Sequence, residues 1–513
     1  MDELIPPKTI AVIDIGTNAI RLVIAEAFQD GKIQIIERLT RGVWLGRDTF
    51  QRGVLGSETM RAAIEILSIF KKYLVQFSVT EVRVLATSAV REAANADFFV
   101  ERVRLATKLE VEIIDPAEEV QLTVSAVHEL VGDELKKTHK PVLLADVGGG
   151  STLLTILQNG TVINSQSFNF GSVLLREMYT AEDKTSVQTK ELMLHAIDEN
   201  FSSAESYFPL HDNELFIATG GDARFAARQI STETVFGCLS VIRREDLKEL
   251  VDQCAKYDPQ RLCREFEIPF DEAETLVPAL LTYQELLRRT KAETLLVSTV
   301  SMRDGVLQSM AREVWGREDT LYQADVLDAA KALALKYHLD VKHAERTAAL
   351  AERIFDELQA EHGMEARCRL ILSVAAILQH SGRFVNNRAF YKHSYYLIMN
   401  SEIFGLQRTD LQLVAYTARY SRRSGPKADH IQFMSLPRQS RLAVSKLTSL
   451  LRIADALNHG ESPAPDRIRF ERDGDELILH LPPLEGFLLK QRVLQSEGKM
   501  FEDVFGIRVS LEC

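Results

Sequence analysis

Three short glycine-containing turns carry the residue types that phosphate chemistry needs. Asp14-Ile-Gly-Thr-Asn18 and Asp146-Val-Gly-Gly-Gly-Ser-Thr152 each close an apolar run with an aspartate, and Gly220-Gly221-Asp222 follows a third run. Glycine lets the backbone approach an anion, and the neighbouring amides and hydroxyls donate hydrogen bonds to it. A carboxylate beside the anion can hold Mg²⁺ or an activated water. One such turn alone is more often a tight β-hairpin, but three together favour a phosphate site.

The apolar runs around these turns have the composition of β-strands, and their arrangement is repeated. A three-stranded meander precedes a segment with helical spacing of apolar residues. After Pro141 the strand–turn–strand pattern begins again, so that Asp14 and Asp146 are 132 residues apart. We therefore predict an internal duplication that forms two related lobes facing one another. The first three runs are Ile10–Ile13, Leu22–Ala25 and Lys32–Ile36, and the helical segment is Leu55–Phe77.

Composition limits the class of protein. The chain has 513 residues, enough for several domains, and its hydrophobic fraction of 46% and charged fraction of 26% are typical of globular proteins. A net charge of −12 argues against a generic nucleic-acid coat, which needs a basic field. The five cysteines show neither a disulfide framework nor the spacing of a zinc site. The N-terminal residues show neither the pattern of a signal peptide nor that of a membrane span. We therefore predict a cytoplasmic protein.

Two further groups of polar residues lie at predicted helix starts. Thr87 and Ser88 end a strand and open a helix, where unpaired amides favour an anion, and Arg91 lies one turn further on. The alternative is a serine N-cap beside a solvent-exposed arginine.

Glu118 and Glu119 follow Asp115-Pro116, which has the residue types of an N-cap and a first helical residue. Glu118 then takes the third position, which serves the helix terminus, and Glu119 is the carboxylate left for chemistry. The alternative for Glu119 is a second acid that compensates the helix dipole.

In this order and spacing, the motifs resemble those of the exopolyphosphatase/guanosine pentaphosphate phosphatase family, a branch of the actin-like and sugar-kinase superfamily. The resemblance covers nearly the whole chain, and no Walker-type Gly-Lys-Ser/Thr loop is present. The matching segments are Asp14–Leu22, Ala86–Ala93, Glu118-Glu119, Asp146–Thr152 and Arg303–Val306.

The resemblance implies roles for these residues. Glu119 would activate the water that attacks a terminal phosphate, and Asp146 and Asp14 would hold Mg²⁺. The expected reaction is removal of the terminal phosphate from inorganic polyphosphate. Alternatives are removal of the 5′-phosphate from guanosine pentaphosphate, and an actin-like kinase with an adenosine pocket around Gly220-Gly221. The phosphate contacts would come from Asp14, Gly16, Thr17, Asn18, Arg21, Thr87, Ser88, Arg91, Gly148, Gly149, Gly150, Ser151, Thr152, Gly220 and Gly221.

Two departures from the family pattern weaken this expectation. The glycine turn normally continues with a glutamate that helps to hold metal or water, and here that position is Leu153. The C-terminal half resembles a degraded His-Asp phosphohydrolase domain: His343 and Asp455 match ligand positions, but the central pair reads Gln379-His380. We expect no di-metal site there. A regulator that binds polyphosphate or nucleotide without turnover is therefore a further hypothesis.

The C-terminal half nevertheless has a charge signal. Residues 363–461 contain 14 Lys and Arg against six Asp and Glu. A solvated helix face is the ordinary explanation, but such a stretch could also guide a polyanion. The predicted polyanion track comprises Arg419, Arg422, Arg423, Lys427, Arg438 and Arg441.

The predicted fold class is therefore α/β: two duplicated actin-like, ribonuclease H-like lobes, then a mostly helical HD-like domain and a small α+β segment. We place these domains at residues 1–135, 136–318, 319–465 and 466–513. The predicted partners are polyphosphate or guanosine pentaphosphate, with neither nucleic acid nor membrane, in a homodimer.

Overall fold

The structure is a computed structural model that describes residues 5–179, 186–317, 320–422, 425–461, 463–483 and 486–512. The chain forms two compact units, which divide between Tyr322 and Gln323. The finer division into lobes and C-terminal domains at 1–135, 136–318, 319–465 and 466–513 stays a prediction.

The first lobe is built on a five-stranded sheet. Its strands are β1 (Lys8–Ile15), β2 (Ala19–Ala27), β3 (Ile33–Gly42), β4 (Glu81–Ala86) and β5 (Val111–Ile113). Its helices are α1 (Leu45–Arg52), α2 (Ser57–Gln76), α3 (Ser88–Arg91), α4 (Ala96–Thr107) and α5 (Pro116–Thr138). The strand order is β3-β2-β1-β4-β5, antiparallel within the predicted meander and parallel from β1 to β5. The apolar stripe of α2, including Leu67 and Phe70, is buried against this sheet.

The second lobe has a seven-stranded sheet in the order β10-β11-β12-β9-β6-β7-β8. Its strands are β6 (Val142–Val147), β7 (Thr152–Gln158), β8 (Thr161–Phe168), β9 (Leu215–Thr219), β10 (Glu233–Val235), β11 (Leu239–Arg243) and β12 (Thr294–Val297). Its helices are α6 (Ser172–Tyr179), α7 (Ser186–Ala204), α8 (Gly221–Ile230), α9 (Arg244–Cys254), α10 (Pro259–Phe266), α11 (Phe270–Arg289) and α12 (Met302–Val314).

The two sheets confirm the predicted duplication. If β6, β7, β8, β9 and β12 are matched to β1 through β5, both sheets have the same strand order. In each matched set of five strands the middle strand ends near an aspartate, Asp14 in β1 and Asp146 in β6, and a hairpin connects it to the next strand. Strands β10 and β11 extend only the second sheet.

Helices α5 and α12 cross at very close range. Gly305 in α12 packs directly on the backbone of Leu122 in α5, where a Cβ atom would overlap the Leu122 carbonyl oxygen. Leu122 and Val306 join a buried core that also contains Ile10 and Val12 from the outer face of β1. This crossing therefore ties the first lobe to the last helix of the second.

The second unit is mostly helical, as its Ala- and Leu-rich periodicity predicts. Its helices are α13 (Thr320–Lys336), α14 (Val341–Glu357), α15 (Gln359–His362), α16 (Ala366–Leu378), α17 (Phe390–Met399), α18 (Arg408–Tyr420), α19 (Ile431–Met434), α20 (Arg438–Leu457), α21 (Phe487–Glu497) and α22 (Lys499–Phe505), with 3₁₀ turns at Ser381–Phe384 and Pro465–Arg467. A small sheet consists of β13 (Arg469–Asp473), β14 (Glu476–His480) and β15 (Arg508–Glu512), in which β13 and β14 form an antiparallel hairpin. Among the described residues, none of the helices has the length and apolar character of a membrane span.

Candidate functional site

The turn between β1 and β2 is held by both its backbone and its charges. The Gly16 amide donates to the Ala19 carbonyl at 3.1 Å, which closes the turn. Asp14, at the end of β1, is only 5% exposed. Arg303 donates from Nη1 to Asp14 Oδ2 at 2.7 Å, and Arg21 Nη1 lies 3.8 Å from the same oxygen. The carboxylate of Asp14 thus orients two guanidinium groups.

The corresponding turn between β6 and β7 packs directly on the first one. The Gly148 amide donates to the Ser151 carbonyl at 2.9 Å. A Cβ atom on Gly149 would lie 2.6 Å from Thr17 Cβ, and one on Gly150 would lie 2.7 Å from Ser88 Oγ. Glycine is required at both positions because the two lobes approach each other here.

Helix α5 begins as predicted, with Asp115 as its N-cap and Pro116 in its first turn. Asp115 Oδ1 accepts a hydrogen bond from the Glu118 amide at 3.0 Å, and the Glu118 carboxylate lies 3.4 Å from Arg83. The Glu119 carboxylate instead pairs with Arg91, whose Nη1 also donates to the Ile114 carbonyl at 2.7 Å. Glu119 lines the cavity described next and Glu118 does not, and the role of Glu119 as the base stays a prediction.

A cavity of about 440 Å³ lies between the two lobes. Most of the predicted site residues meet on its walls. Those that line it are Asp14, Gly16, Thr17, Asn18, Arg21, Thr87, Ser88, Glu119, Asp146, Gly148, Gly149, Ser151, Gly220 and Gly221.

Three predicted residues do not line this cavity. Thr152 is fully buried and its hydroxyl donates to the Phe170 carbonyl at 2.7 Å, so it braces the strand and does not grip phosphate. Gly150 is covered by Phe50 and Ser88. Arg91 lies behind the wall, where it contacts Glu119.

Burial raises the pKa of Glu119 and of Asp146, two of the carboxylates on this cavity. It raises the pKa of Glu119 to about 7, against the opposing charge of Arg91, and the charges of Asp146 and Asp14 raise it further. Burial also raises the pKa of Asp146. A carboxyl group with a pKa near neutrality is suited to act as a general base.

Several cavity residues were not assigned a role from the sequence. Arg303 and Arg224 bring guanidinium groups to the walls, and Asp222, Asp271 and Glu272 bring carboxylates. Burial, followed by the charge of Glu272, raises the pKa of Asp222 to about 7. Arg303 lies in the matching segment Arg303–Val306, but only the fold reveals its pairing with Asp14.

Comparison with known proteins identifies the family. The model of the Ppx/GppA phosphatase family matches residues 23–314, which is more than half of the chain, and the model of Ppx/GppA phosphatase domain III matches residues 327–499. The chain belongs to the Ppx/GppA phosphatase family.

Solved structures agree with this assignment. The crystal structure of the Aquifex aeolicus Ppx/GppA family member is 25% identical, with a TM-score of 0.50, and the match covers 60% of this chain and 99% of that one. An exopolyphosphatase from Cytophaga hutchinsonii is 24% identical, with a TM-score of 0.54 and coverage of 61% and 99%, which shows the shared fold. The predicted actin-like α/β fold is thus confirmed for this Ppx/GppA family member.

Asp146 is a cavity carboxylate that fits Mg²⁺. Asp14 and Glu119 are paired with arginines, whereas Asp146 has no ion pair within 4 Å among the described residues. Its Oδ1 lies about 3 Å from the Cβ position that Gly220 lacks, on the cavity wall. Within the part of the chain that the structure describes, no three His, Cys, Asp or Glu side chains form a metal cluster. Mg²⁺ commonly takes one carboxylate, with substrate phosphates and waters completing its shell, so Asp146 fits that mode.

Leu153 lies where the family pattern has a glutamate. It is directly opposite Asp146 in the antiparallel β6–β7 pair, so the two side chains leave the sheet on the same face. A second carboxylate at this position would adjoin Asp146. Leucine at this position offers no oxygen atom beside Asp146.

The predicted polyanion track is only partly a free basic face. Arg422 Nη2 lies 2.7 Å from the buried Asp455, so this arginine compensates an internal charge and the prediction for it is corrected. Arg419 lies over the Tyr395 ring at 5.1 Å, and Arg441 donates to the Met434 carbonyl at 3.2 Å. Lys427 and Arg438 are exposed. Arg423 lies outside the described residues.

Proposed function

We propose that this Ppx/GppA phosphatase hydrolyses the terminal phosphoanhydride bond of inorganic polyphosphate. The observation that carries the proposal is the convergence of Glu119, three glycine turns and the guanidinium groups of Arg21, Arg224 and Arg303 on one cavity. Amides and guanidinium groups neutralise the charge of a phosphate chain end, while a carboxylate with a pKa near 7 accepts a proton from water.

In this mechanism the protein's residues bind and orient the terminal phosphate of the substrate and deprotonate the attacking water. The turns after β1 and β6 would present to the terminal phosphate backbone amides other than those of Gly16 and Gly148, which close the turns, and Arg21 and Arg303 would balance its charge. Glu119, oriented by Arg91, takes a proton from the attacking water. Mg²⁺ held by Asp146 and the substrate's phosphates would supply further charge neutralisation.

The second candidate substrate is guanosine pentaphosphate, and the composition of one wall favours it. Asp222, Asp271 and Glu272 line the same cavity together with the apolar side chains of Phe225 and Leu276. Carboxylates repel a phosphate chain but accept hydrogen bonds from base and ribose donors, and the apolar side chains suit the face of a nucleobase.

The third candidate is a regulator that binds these ligands without turnover, which Leu153 favours. Loss of a carboxylate that contacts the metal costs on the order of several kcal/mol in transition-state stabilisation.

A cytoplasmic homodimer is also proposed, on the family resemblance alone, and sedimentation velocity tests the oligomeric state.

The deciding experiment measures phosphate release from long-chain polyphosphate and from guanosine pentaphosphate, with Mg²⁺ and with a chelator. Glu119→Gln should lower kcat by about 10²–10⁴ because the base is lost. Glu118→Gln is the matched control, since Glu118 lies outside the cavity, and should change kcat less than about threefold. Equal loss in both variants would remove the assigned base. Tight binding without release from either substrate would support the regulator.

A further inference from the structure

Tyr283 is a buried tyrosine whose hydroxyl joins two strands of the second lobe. It lies in the middle of α11 and its side chain is fully buried. Its Oη accepts a hydrogen bond from the Val147 amide at 3.1 Å and donates one to the Thr219 carbonyl at 2.5 Å. Both donor and acceptor capacities of the hydroxyl are thus used on backbone atoms.

These two backbone groups stand at the ends of the strands that form the cavity wall. Val147 follows Asp146 in β6, Thr219 precedes Gly220 at the end of β9, and Asp146 pairs with Thr219 in the parallel β6–β9 ladder. The hydroxyl therefore fixes the spacing between the candidate Mg²⁺ carboxylate and the third glycine turn.

The surroundings of Gly220 show how closely the Tyr283 hydroxyl and the Asp146 carboxylate approach this turn. The φ of Gly220 is +99°, and a Cβ atom there would lie 3.0 Å from Tyr283 Oη and 3.1 Å from Asp146 Oδ1. The hydroxyl and the carboxylate thus converge on the same point of the turn. A Cβ atom here would be in tight contact with both groups, and the positive φ favours glycine at this position.

We infer that Tyr283 is a positioning residue for the reaction: its hydroxyl holds Asp146 and the Gly220-Gly221 turn in their working arrangement. The inference rests on the proposed function. Without the hydroxyl, the Val147 amide and the Thr219 carbonyl lose this buried partner and the two strand ends can separate. A displacement of about 1 Å at a phosphoryl-transfer site lowers the rate by about 10².

The competing explanation is that Tyr283 is only a well-packed core residue. The chain offers a matched control in the adjacent residue of α11. Thr282 is also fully buried, and its Oγ1 donates to the Pro278 carbonyl at 2.9 Å within its own helix. Thr282→Val therefore removes a buried hydroxyl from the same helix without touching either strand end.

The test compares Tyr283→Phe with Thr282→Val in the full chain. Steady-state phosphate release should show kcat lowered about 10- to 100-fold in Tyr283→Phe, with KM changed less than about threefold, and kcat within about twofold of wild type in Thr282→Val. Peptide-level amide hydrogen exchange should be at least about tenfold faster at residues 146–150 and 218–222 in Tyr283→Phe only.

The exchange measurement separates this inference from the proposed function. If the wild-type chain releases no phosphate from either substrate, the proposed function fails, and local exchange still decides whether Tyr283 orders the two strand ends. Unchanged exchange at both segments in Tyr283→Phe overturns the inference. So does an active wild-type enzyme whose Tyr283→Phe variant keeps the kcat of Thr282→Val.

Discussion

Arg303 lies 2.7 Å from Asp14, and this ion pair connects helix α12 to the end of strand β1 across 289 residues of sequence. Both side chains are mostly buried, at 15% and 7% exposure. Removal of one partner of a buried pair leaves an uncompensated charge, and removal of both does not.

The pair predicts a measurable coupling energy. Arg303→Met should destabilise the first unit by about 3 kcal/mol, and Asp14→Asn combined with Arg303→Met should recover part of that loss. Urea unfolding followed by tryptophan fluorescence reports this unit alone, because both tryptophans, Trp44 and Trp315, lie in it. A double variant as unstable as the sum of the single variants would contradict the coupling.

The Arg91–Glu119 pair predicts the pH dependence of turnover. Because Glu119 has a pKa of about 7 and must be deprotonated to act as the base, kcat/KM should rise with pH through about 7. Arg91 lowers this pKa, so Arg91→Met should move the rising limb to higher pH, with a larger loss at pH 7 than at pH 9. Arg91→Lys, which keeps the charge, should shift the limb less. If the pH at which kcat/KM rises is unchanged in Arg91→Met, Glu119 is not the general base.

The close crossing of α5 and α12 predicts that one added methyl group will lower the stability of the protein. Gly305→Ala places a Cβ atom on the Leu122 carbonyl oxygen, so the two helices must move apart. We expect the free energy of unfolding to fall by about 1–3 kcal/mol. Gly132→Ala in α5 is the control, because its Cβ would be at an ordinary 3.6 Å from His128 Cβ and should be neutral or stabilising. Tryptophan-monitored urea unfolding distinguishes the two, and similar midpoints would show that the crossing tolerates the methyl group.

Leu153 predicts a gain-of-function variant. Leu153→Glu adds a carboxylate opposite Asp146 and should lower the Mg²⁺ concentration for half-maximal activity, with an increase in kcat of about tenfold or more. Leu153→Gln has nearly the same size without the charge and should give no such gain. A Mg²⁺ titration of initial rates checks both variants, and an equal effect of Gln and Glu would exclude a metal-ligand role for this position.

The exposed part of the basic stretch predicts an effect that depends on substrate length. Neutralising Lys427 and Arg438 together as glutamines should raise KM for long polyphosphate several-fold but leave KM for tripolyphosphate unchanged, and added salt should reduce the difference. Arg469→Gln with Arg472→Gln, on β13, is the charge-matched control, since both side chains are exposed and lie outside the basic stretch. An equal rise for both substrates would argue against the track.

Local rules in the sequence predicted much of this architecture. Apolar runs with the composition of β-strands predicted the strands of the first-lobe meander, and apolar residues at 3.6-residue spacing predicted helix α2 and the helices of the second unit. The N-cap pattern at Asp115 predicted different positions for Glu118 and Glu119. Thr152, one of the predicted residues that do not line the cavity, begins a strand whose side-chain alternation points it into the core. Tyr283 and the Asp14–Arg303 pair depend on contacts between residues far apart in sequence, which no local pattern encodes.

The contact of Thr17 with Gly149 closes the space between the two turns at this point of the cavity. Under the proposed function, a phosphate polymer would then present its tip to Glu119, and the released phosphate would leave by the route through which the substrate entered. Cleavage would shorten a chain stepwise, and orthophosphate would act as a competitive product inhibitor.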